Sequence, residues 1–232
     1  MSLQVVDRLG WADAMTLLNS GIGVLALAAA VLGEVRLVAQ LILLAAVADG
    51  LDGVIARRFG STEVGPYLDS MADIVSFGTT PAVFVFVAAR EEFGETAWTV
   101  SEEPELAAVA GVVAAGFVIF SLVRTALYTV YVGEDETRPG IQNTLASSIL
   151  AVAYLAGLTN VPALLGATVV LSVLMVAPVP YPKLLDRDAI VLGALQMAAI
   201  LLPAVLERVF PRALLLFALA YLTLAPRYYW GE

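Results

Sequence analysis

Residues 48–78 read ADGLDGVIARRFGSTEVGPYLDSMADIVSFG and contain two pairs of acidic residues: Asp49 with Asp52, and Asp69 with Asp73. The members of the first pair are three positions apart and those of the second are four, so each pair lies on one face of a helix. The turn between them contains two glycines and a proline, which allows the helices to run antiparallel. We therefore expect the two acidic pairs to meet.

The chain around this stretch is very apolar. Of its 232 residues, 60% are hydrophobic and 14% are charged, with a mean hydropathy of +0.90, whereas a soluble domain has about 45–50% apolar and about 25% charged residues. This composition predicts an integral membrane protein. The apolar stretches predict an all-α, polytopic membrane bundle that forms a single domain over residues 1–232. About eight transmembrane helices are expected, near 14–32, 36–57, 67–89, 105–130, 142–159, 162–178, 188–206 and 210–226.

Missing residue types exclude several kinds of chemistry. The chain has no cysteine and no histidine, so thiolate nucleophiles, imidazole bases and the usual zinc ligands are absent. The net charge is −9, with no basic stripe to neutralise phosphates, which argues against nucleic-acid binding.

The distribution of arginine and lysine predicts the topology. With a cytoplasmic N-terminus, eight basic residues fall on the inner side and four on the outer side, which favours inner placement of both termini. The protein is thus expected to be a multi-pass cell-membrane protein with its aspartates at the cytoplasmic face.

Four converging carboxylates would repel each other unless cations lay between them. Hard divalent ions such as Mg²⁺ or Mn²⁺ prefer oxygen ligands, and paired ions recur in phosphoryl transfer. The alternative, that these acids mark hydrated helix ends, does not explain the matched spacing. Gly53 and Ala56 share the acidic face and would leave a shallow floor for a ligand, although small residues also serve close helix packing. Arg57 is a candidate for binding a phosphate or for anchoring the helix at the interface.

The pattern of small and acidic residues resembles the signature of the CDP-alcohol phosphatidyltransferase family: Asp49-x2-Asp52-Gly53-x2-Ala56-Arg57-x7-Gly65-x3-Asp69-x3-Asp73. The resemblance implies a homodimeric membrane enzyme that transfers a phosphatidyl group from a CDP-linked lipid to an alcohol and releases CMP. It implies that the four aspartates bind two divalent ions, Mg²⁺ or Mn²⁺, and that Asp73 is also the catalytic base. The nucleotide-binding residues carried over from the family are Thr16, Asn19, Gly53, Ala56, Arg57 and Gly65.

Flanking residues resemble the branch of the family that uses L-serine. The similar segments are Leu68–Gly78, Thr16–Asn19 with Gly21, and Leu174–Val176 with Tyr181–Lys183. Two positions depart from that branch, because Leu127 stands where a second arginine is common and Gln142 stands where a proline is expected.

Serine needs a partner for its carboxylate. Arg124 is the first candidate, and its alternative role is to balance the aspartate charge. Lys183, the only lysine, lies in a proline-rich loop where it is also suited to a lipid headgroup. The full set of predicted acceptor-binding residues is Ser76, Arg124, Arg138 and Lys183.

The predicted substrates are L-serine and CDP-diacylglycerol or CDP-archaeol, since the acidic, lysine-poor composition is also compatible with a salt-adapted host. A nearby alternative is the same reaction with glycerol phosphate, an inositol phosphate or an amino alcohol as acceptor. A distant one is a cation transporter or channel, which would predict broken helices in two repeated halves. A non-catalytic membrane scaffold leaves the aspartate spacing unexplained.

Overall fold

The computed structural model describes residues 9–92, 104–131, 138–182 and 186–228, and these residues form an all-α bundle, as predicted. The helices are α1 Trp11–Val31, α2 Val35–Phe59, α3 Gly65–Asp73, a π-helical turn Ile74–Thr79 called here the π segment, α4 Thr80–Glu92, α5 Pro104–Tyr131, α6 Asn143–Leu155, α7 Val161–Met175, α8 Asp186–Leu201 and α9 Val209–Tyr228. The α3 helix, the π segment and α4 follow one another without a break and form one long helix. Counted in this way, the described residues contain eight helices.

Five of these helices are long and apolar enough to cross a membrane: α1, α2, the α3–α4 helix, α5 and α9. The remaining three are apolar but shorter than the ~20 residues that a full span needs. The protein is therefore a multi-pass membrane protein that combines long spanning helices with shorter ones.

Three predicted helices extend three or more residues beyond the ends seen in the structure. The fifth predicted helix, α6, ends at Leu155 instead of near residue 159, before a turn in which Gly157 has a φ of +100°. The sixth, α7, ends at Met175 instead of near residue 178, because two prolines follow closely and an extended segment begins. The seventh, α8, ends at Leu201 instead of near residue 206. It is followed by a turn in which Leu206, Glu207 and Arg208 have φ angles of 46°, 54° and 67°, a left-handed conformation that stops the helix.

Small residues bring α1 close to its neighbours. Ala26, Ala29 and Ala30 of α1 are buried in the core. At Gly23, a Cβ atom would lie 2.6 Å from Ser76 Oγ, so only glycine allows α1 to approach the π segment this closely. The hydroxyl of Thr80 donates to the Gly23 carbonyl at 3.2 Å, which fixes the same contact. This packing holds α1 against the helix that carries the second acidic pair.

Two distant segments are joined by a short antiparallel pairing of β1 (Arg138–Pro139) with β2 (Pro180–Tyr181). Gly140 continues this link, because its N–H donates to the Val179 carbonyl at 2.8 Å. Its φ is +77°, and a Cβ atom there would overlap the backbone carbonyl of Met175. The sequence did not predict this pairing, which places Arg138 beside Tyr181, the start of one segment noted for its serine-branch resemblance.

Candidate active site

Three of the four predicted aspartates form one cluster. Asp49 comes from α2, while Asp69 and Asp73 lie one turn apart on α3, and one carboxylate oxygen from each lies within 4.8 Å of the other two. An ion bound at 2.0–2.6 Å from each oxygen fits between donors at this spacing. The antiparallel approach of two acidic helix faces is therefore present.

Asp52 lies beside this cluster and has a partner of its own. It is 9% exposed and accepts a hydrogen bond of 2.8 Å from the Thr16 hydroxyl of α1. Its charge still interacts with those of Asp49, Asp69 and Asp73. The structure thus places Asp52 next to the three-carboxylate group, and its role as a metal ligand stays a prediction.

A second hydroxyl reaches the cluster from α6. Thr144 Oγ1 donates to Asp49 Oδ2 at 3.3 Å. The sequence did not single out Thr144, because it stands 95 residues from its partner and no local pattern links them. Two threonines from different helices therefore orient the two carboxylates of α2.

Buried polar atoms near the cluster are unpaired within the described part of the chain. Asp73 Oδ1 and both side-chain amide atoms of Asn19 have no hydrogen-bond partner there, and Asn19 is fully buried. More than nine in ten buried polar groups have partners, so unpaired ones mark places for a ligand. The free Asp73 oxygen, together with an all-carboxylate donor set, fits a hard divalent cation.

The predicted nucleotide residues on α2 lie along one helical face. Gly53 follows Asp49 by one turn, and Arg57 follows Gly53 by another; a Cβ atom on Gly53 would lie 3.6 Å from Arg57 Nη1. Arg57 is exposed, whereas Ala56 is half-buried. The side chain of Arg57 thus folds back over the glycine, towards the end of α2 that carries the acids.

A buried carboxylate that the sequence did not identify joins the start of α1 to the α2–α3 turn. Asp13 is 2% exposed, and its Oδ2 accepts hydrogen bonds from the Gly10 N–H at 2.7 Å and the Thr62 hydroxyl at 2.8 Å. A Cβ atom on Gly65 would lie 3.1 Å from Asp13 Oδ1. The close contact with Asp13 therefore requires a small residue at position 65, in addition to the predicted nucleotide role of Gly65. The sequence did not single out Asp13, because an acidic residue in the first turn of an apolar helix is a common pattern.

Arg124 is the predicted acceptor residue that the structure brings to the cluster. It is 7% exposed, its Cζ lies 4.2 Å from the centroid of the Tyr128 ring, and its charge interacts favourably with that of Asp73. Ser76 is fully buried and donates to the Asn19 carbonyl at 3.0 Å. Arg138 takes part in the β1–β2 pairing through its backbone, and Lys183 lies outside the described residues.

Further polar groups stand near Arg124 between α5 and α6. Asn143 Nδ2 donates to the Thr125 hydroxyl at 2.8 Å, while Asn143 Oδ1 and Ser121 Oγ are buried without partners among the described residues. The Tyr128 hydroxyl donates to the Pro139 carbonyl. The guanidinium thus sits on a tyrosine that is itself tied to the β1–β2 segment.

Comparison with known proteins identifies a family that matches most of the chain. The family profile described as CDP-alcohol phosphatidyltransferase matches residues 9–179, more than half of the chain. The chain belongs to the CDP-alcohol phosphatidyltransferase family. The matched range includes all four aspartates and all six predicted nucleotide residues, and it ends immediately before β2.

Curated relatives of this CDP-alcohol phosphatidyltransferase include two named for serine chemistry. Archaetidylserine synthase of Methanothermobacter thermautotrophicus is 25% identical over 74% of this chain and 69% of its own length. CDP-diacylglycerol–serine O-phosphatidyltransferase of Helicobacter pylori strain J99 is 30% identical over 62% of this chain and 59% of its own. Inner membrane protein YnjF of Escherichia coli is 35% identical over 41% of this chain and 47% of its own. The matches thus cover between about half and about two thirds of these relatives.

Proposed function

We propose that this enzyme transfers a phosphatidyl or archaetidyl group from a CDP-linked lipid to the hydroxyl of L-serine and releases CMP. The observation that carries the proposal is the group of three carboxylates, Asp49, Asp69 and Asp73, within 4.8 Å of one another in a membrane helix bundle. Family membership supports the reaction class, and the names of two relatives support serine as the acceptor.

The four aspartates are proposed to bind two divalent ions, Mg²⁺ or Mn²⁺, with Asp49, Asp69 and Asp73 in one cluster and Asp52 as the fourth ligand beside it. When bound, such ions neutralise negative charge on the diphosphate of the lipid substrate. Asp52 contributes additional negative charge, and its geometry is fixed by Thr16. The chain itself supplies oriented oxygens in a partly buried setting, where charges interact more strongly than in bulk water.

Asp73 is proposed to accept the proton of the acceptor hydroxyl. As the acceptor oxygen forms its bond to the lipid-bearing phosphorus, the bond from that phosphorus to the CMP oxygen breaks, and the proton moves to the Asp73 carboxylate. The free Oδ1 of Asp73 offers the site for this transfer. No covalent enzyme intermediate is required.

Arg124 is proposed to bind the serine carboxylate, because a buried guanidinium next to Asp73 places an anionic substrate group close to the base. Ser76, Arg138 and Lys183 remain further proposed acceptor residues. The CMP moiety is proposed to lie along the glycine face of α2, with Arg57 near its phosphates and the free Asn19 amide as a hydrogen-bonding partner. The remaining proposed nucleotide contacts are Thr16, Ala56 and Gly65.

The arginine and lysine distribution supports a cytoplasmic position for this site, with lipid tails leaving sideways into the bilayer. Labelling of single introduced cysteines with a membrane-impermeant maleimide in intact cells tests it: a cysteine at Ser61 should be protected. Labelling there from outside would reverse the topology. A homodimer, also proposed, is tested by light scattering of the purified protein.

An acceptor panel tests the function most directly. Purified protein receives CDP-diacylglycerol or CDP-archaeol with serine, glycerol phosphate, inositol phosphate or ethanolamine, each with and without Mg²⁺ or Mn²⁺, while CMP release is followed. We expect release with serine and a divalent ion only. Release with another acceptor would replace serine, and release without a divalent ion would contradict the metal role. Cation flux without any CMP release would favour a transporter.

A further inference from the structure

A small cavity lies at the other end of the bundle from the aspartates. It has a volume of about 150 Å³ and is lined by Arg36, Tyr154, Leu155, Thr159 and Arg208. Arg36 is the second residue of α2, and Asp49 lies thirteen residues later, about 20 Å along the helix axis. Since α2 crosses the membrane, the cavity lies near the opposite membrane surface from the carboxylates.

The two arginines that line this cavity, here called the arginine pocket, are free to bind an anion. Within the described residues neither guanidinium has a hydrogen-bond or ion-pair partner, although Glu34 and Glu207 are close in sequence. Thr159 adds a hydroxyl group to the same lining, and Tyr154 and Leu155 complete it. The pocket therefore combines two positive charges with a hydroxyl group and no built-in counter-charge in the described part of the chain.

The backbone of the pocket is held in an unusual conformation. Leu206, Glu207 and Arg208 are consecutive non-glycine residues with positive φ. This conformation costs energy for L-residues and persists where surrounding contacts fix it, often at binding sites. A Cβ atom on Gly157, itself at φ +100°, would lie 2.5 Å from Arg208 Nη1. Glycine there lets the guanidinium lie against the α6–α7 turn, facing the cavity.

We propose that the arginine pocket binds a phosphate group at the membrane surface opposite the active site. Guanidinium groups bind phosphate through paired hydrogen bonds, and a volume of about 150 Å³ exceeds the ~30 Å³ of one water several-fold. At the end of a membrane-spanning helix, a phospholipid headgroup supplies this group, and soluble phosphate has the same chemistry. The inference is separate from the transferase reaction and does not depend on it.

Native mass spectrometry of the purified protein in neutral detergent tests the proposal. Dioleoyl phosphatidylglycerol is titrated against wild type and the double variant R36Q/R208Q, with dioleoylglycerol, which lacks phosphate, as the control lipid. We expect the double variant to bind phosphatidylglycerol about tenfold more weakly, the scale of one lost charge-assisted hydrogen bond. Arg212→Gln is the matched control, because Arg212 is an exposed arginine one turn from Arg208 that does not line the pocket.

The second arm adds inorganic phosphate at constant ionic strength. Displacement of phosphatidylglycerol would identify soluble phosphate as a competing occupant, and lack of displacement would identify the headgroup; both support a phosphate site. Equal binding by wild type and the double variant, an equal loss in R212Q, or equal binding of dioleoylglycerol would each overturn it. If the double variant lacks the CMP release of wild type, the conservative Arg36→Lys replaces it. That variant must bind phosphatidylglycerol several-fold more weakly than wild type, or the proposal fails.

Discussion

The four aspartates of the candidate active site, called here the acidic side, lie within residues 49–73 on two helices that follow each other in the chain. The region around Arg124, called here the basic side, is instead assembled from α5, α6 and the paired segments around Gly140 and Tyr181. The first depends on helix spacing and one short turn. The second depends on contacts between residues that are 18 to 43 positions apart, including the Asn143–Thr125 hydrogen bond and the Arg138–Tyr181 pairing. Substitutions on the two sides should therefore have separable effects: those on the acidic side reduce turnover, and those on the basic side reduce use of the acceptor.

The largest effect is expected on the acidic side. Asp73→Asn removes both the proton acceptor and one carboxylate of the cluster, so CMP release should fall by about 10³-fold or more. Binding of CDP-lipid, followed by isothermal titration, should stay measurable. Glu63→Gln is the control, since Glu63 is an exposed acid in the α2–α3 turn. Turnover near the wild-type rate in Asp73→Asn would remove its role as base.

The second largest effect, a loss of stability, is expected for the backbone of the basic side. Gly140→Ala forces a Cβ atom into the carbonyl of Met175 at φ +77°, so the free energy of unfolding should fall by about 2 kcal/mol or more. The thermal unfolding midpoint in detergent measures this loss. In Gly166→Ala the new Cβ meets nothing within 4 Å on α7, and stability should be unchanged or slightly higher. Equal midpoints for the two variants would show that the Gly140 link is not rigid.

A smaller and more selective effect is expected at Arg124. Arg124→Gln should raise the KM for serine by about 10- to 100-fold, the range of one charge-assisted hydrogen bond, and change the KM for CDP-lipid by less than about threefold. Arg124→Lys should recover part of the loss. Steady-state kinetics with each substrate varied in turn provides the measurement. An equal rise in both KM values would instead indicate that Arg124 balances the charge of Asp73.

The smallest effects are expected for the two hydroxyls that orient the α2 carboxylates. Thr16→Val removes a buried 2.8 Å hydrogen bond to Asp52, and Thr144→Val removes a 3.3 Å one to Asp49. Because the shorter bond is the stronger, kcat/KM should fall about fivefold in Thr16→Val and about twofold in Thr144→Val. Activation by Mn²⁺ should shift in the same order. The reverse order would place the more sensitive carboxylate at Asp49.

The sequence was sufficient where chemistry and local spacing coincide. The bundle followed from composition, and the meeting of Asp49 with the α3 acids followed from helix periodicity and a turn containing glycine and proline. Arg124 could be identified as a candidate site residue because a charged side chain within an apolar membrane helix is costly and usually functional. Thr144 and Asp13 could not, since each acquires its role from a partner on another element and neither stands in a distinctive local pattern.

Backbone features were also beyond the sequence. The β1–β2 pairing consists of two residues on each side, too short for an alternating pattern to appear. The left-handed turn at Leu206–Arg208 uses residues that ordinarily avoid that conformation, so no local preference announced it. The π segment could not be predicted either, because one extra residue in an apolar helix does not change the apolar composition from which the helix was predicted.

The π segment that follows Asp73 constrains how this chain can gain or lose residues. Its bond from the Thr80 N–H to the Val75 carbonyl spans five positions in place of four. A turn of this width holds one residue more than an α-helical turn, while the helices on either side keep their relative orientation. Deleting one residue within 74–79 would therefore leave a regular helix whose second acidic pair still faces α2, whereas one further inserted residue would rotate that pair by about 100° relative to α4. The π segment thus tolerates the loss of one residue but not the gain of one, so alignments of relatives should admit a one-residue gap between Asp73 and Pro81.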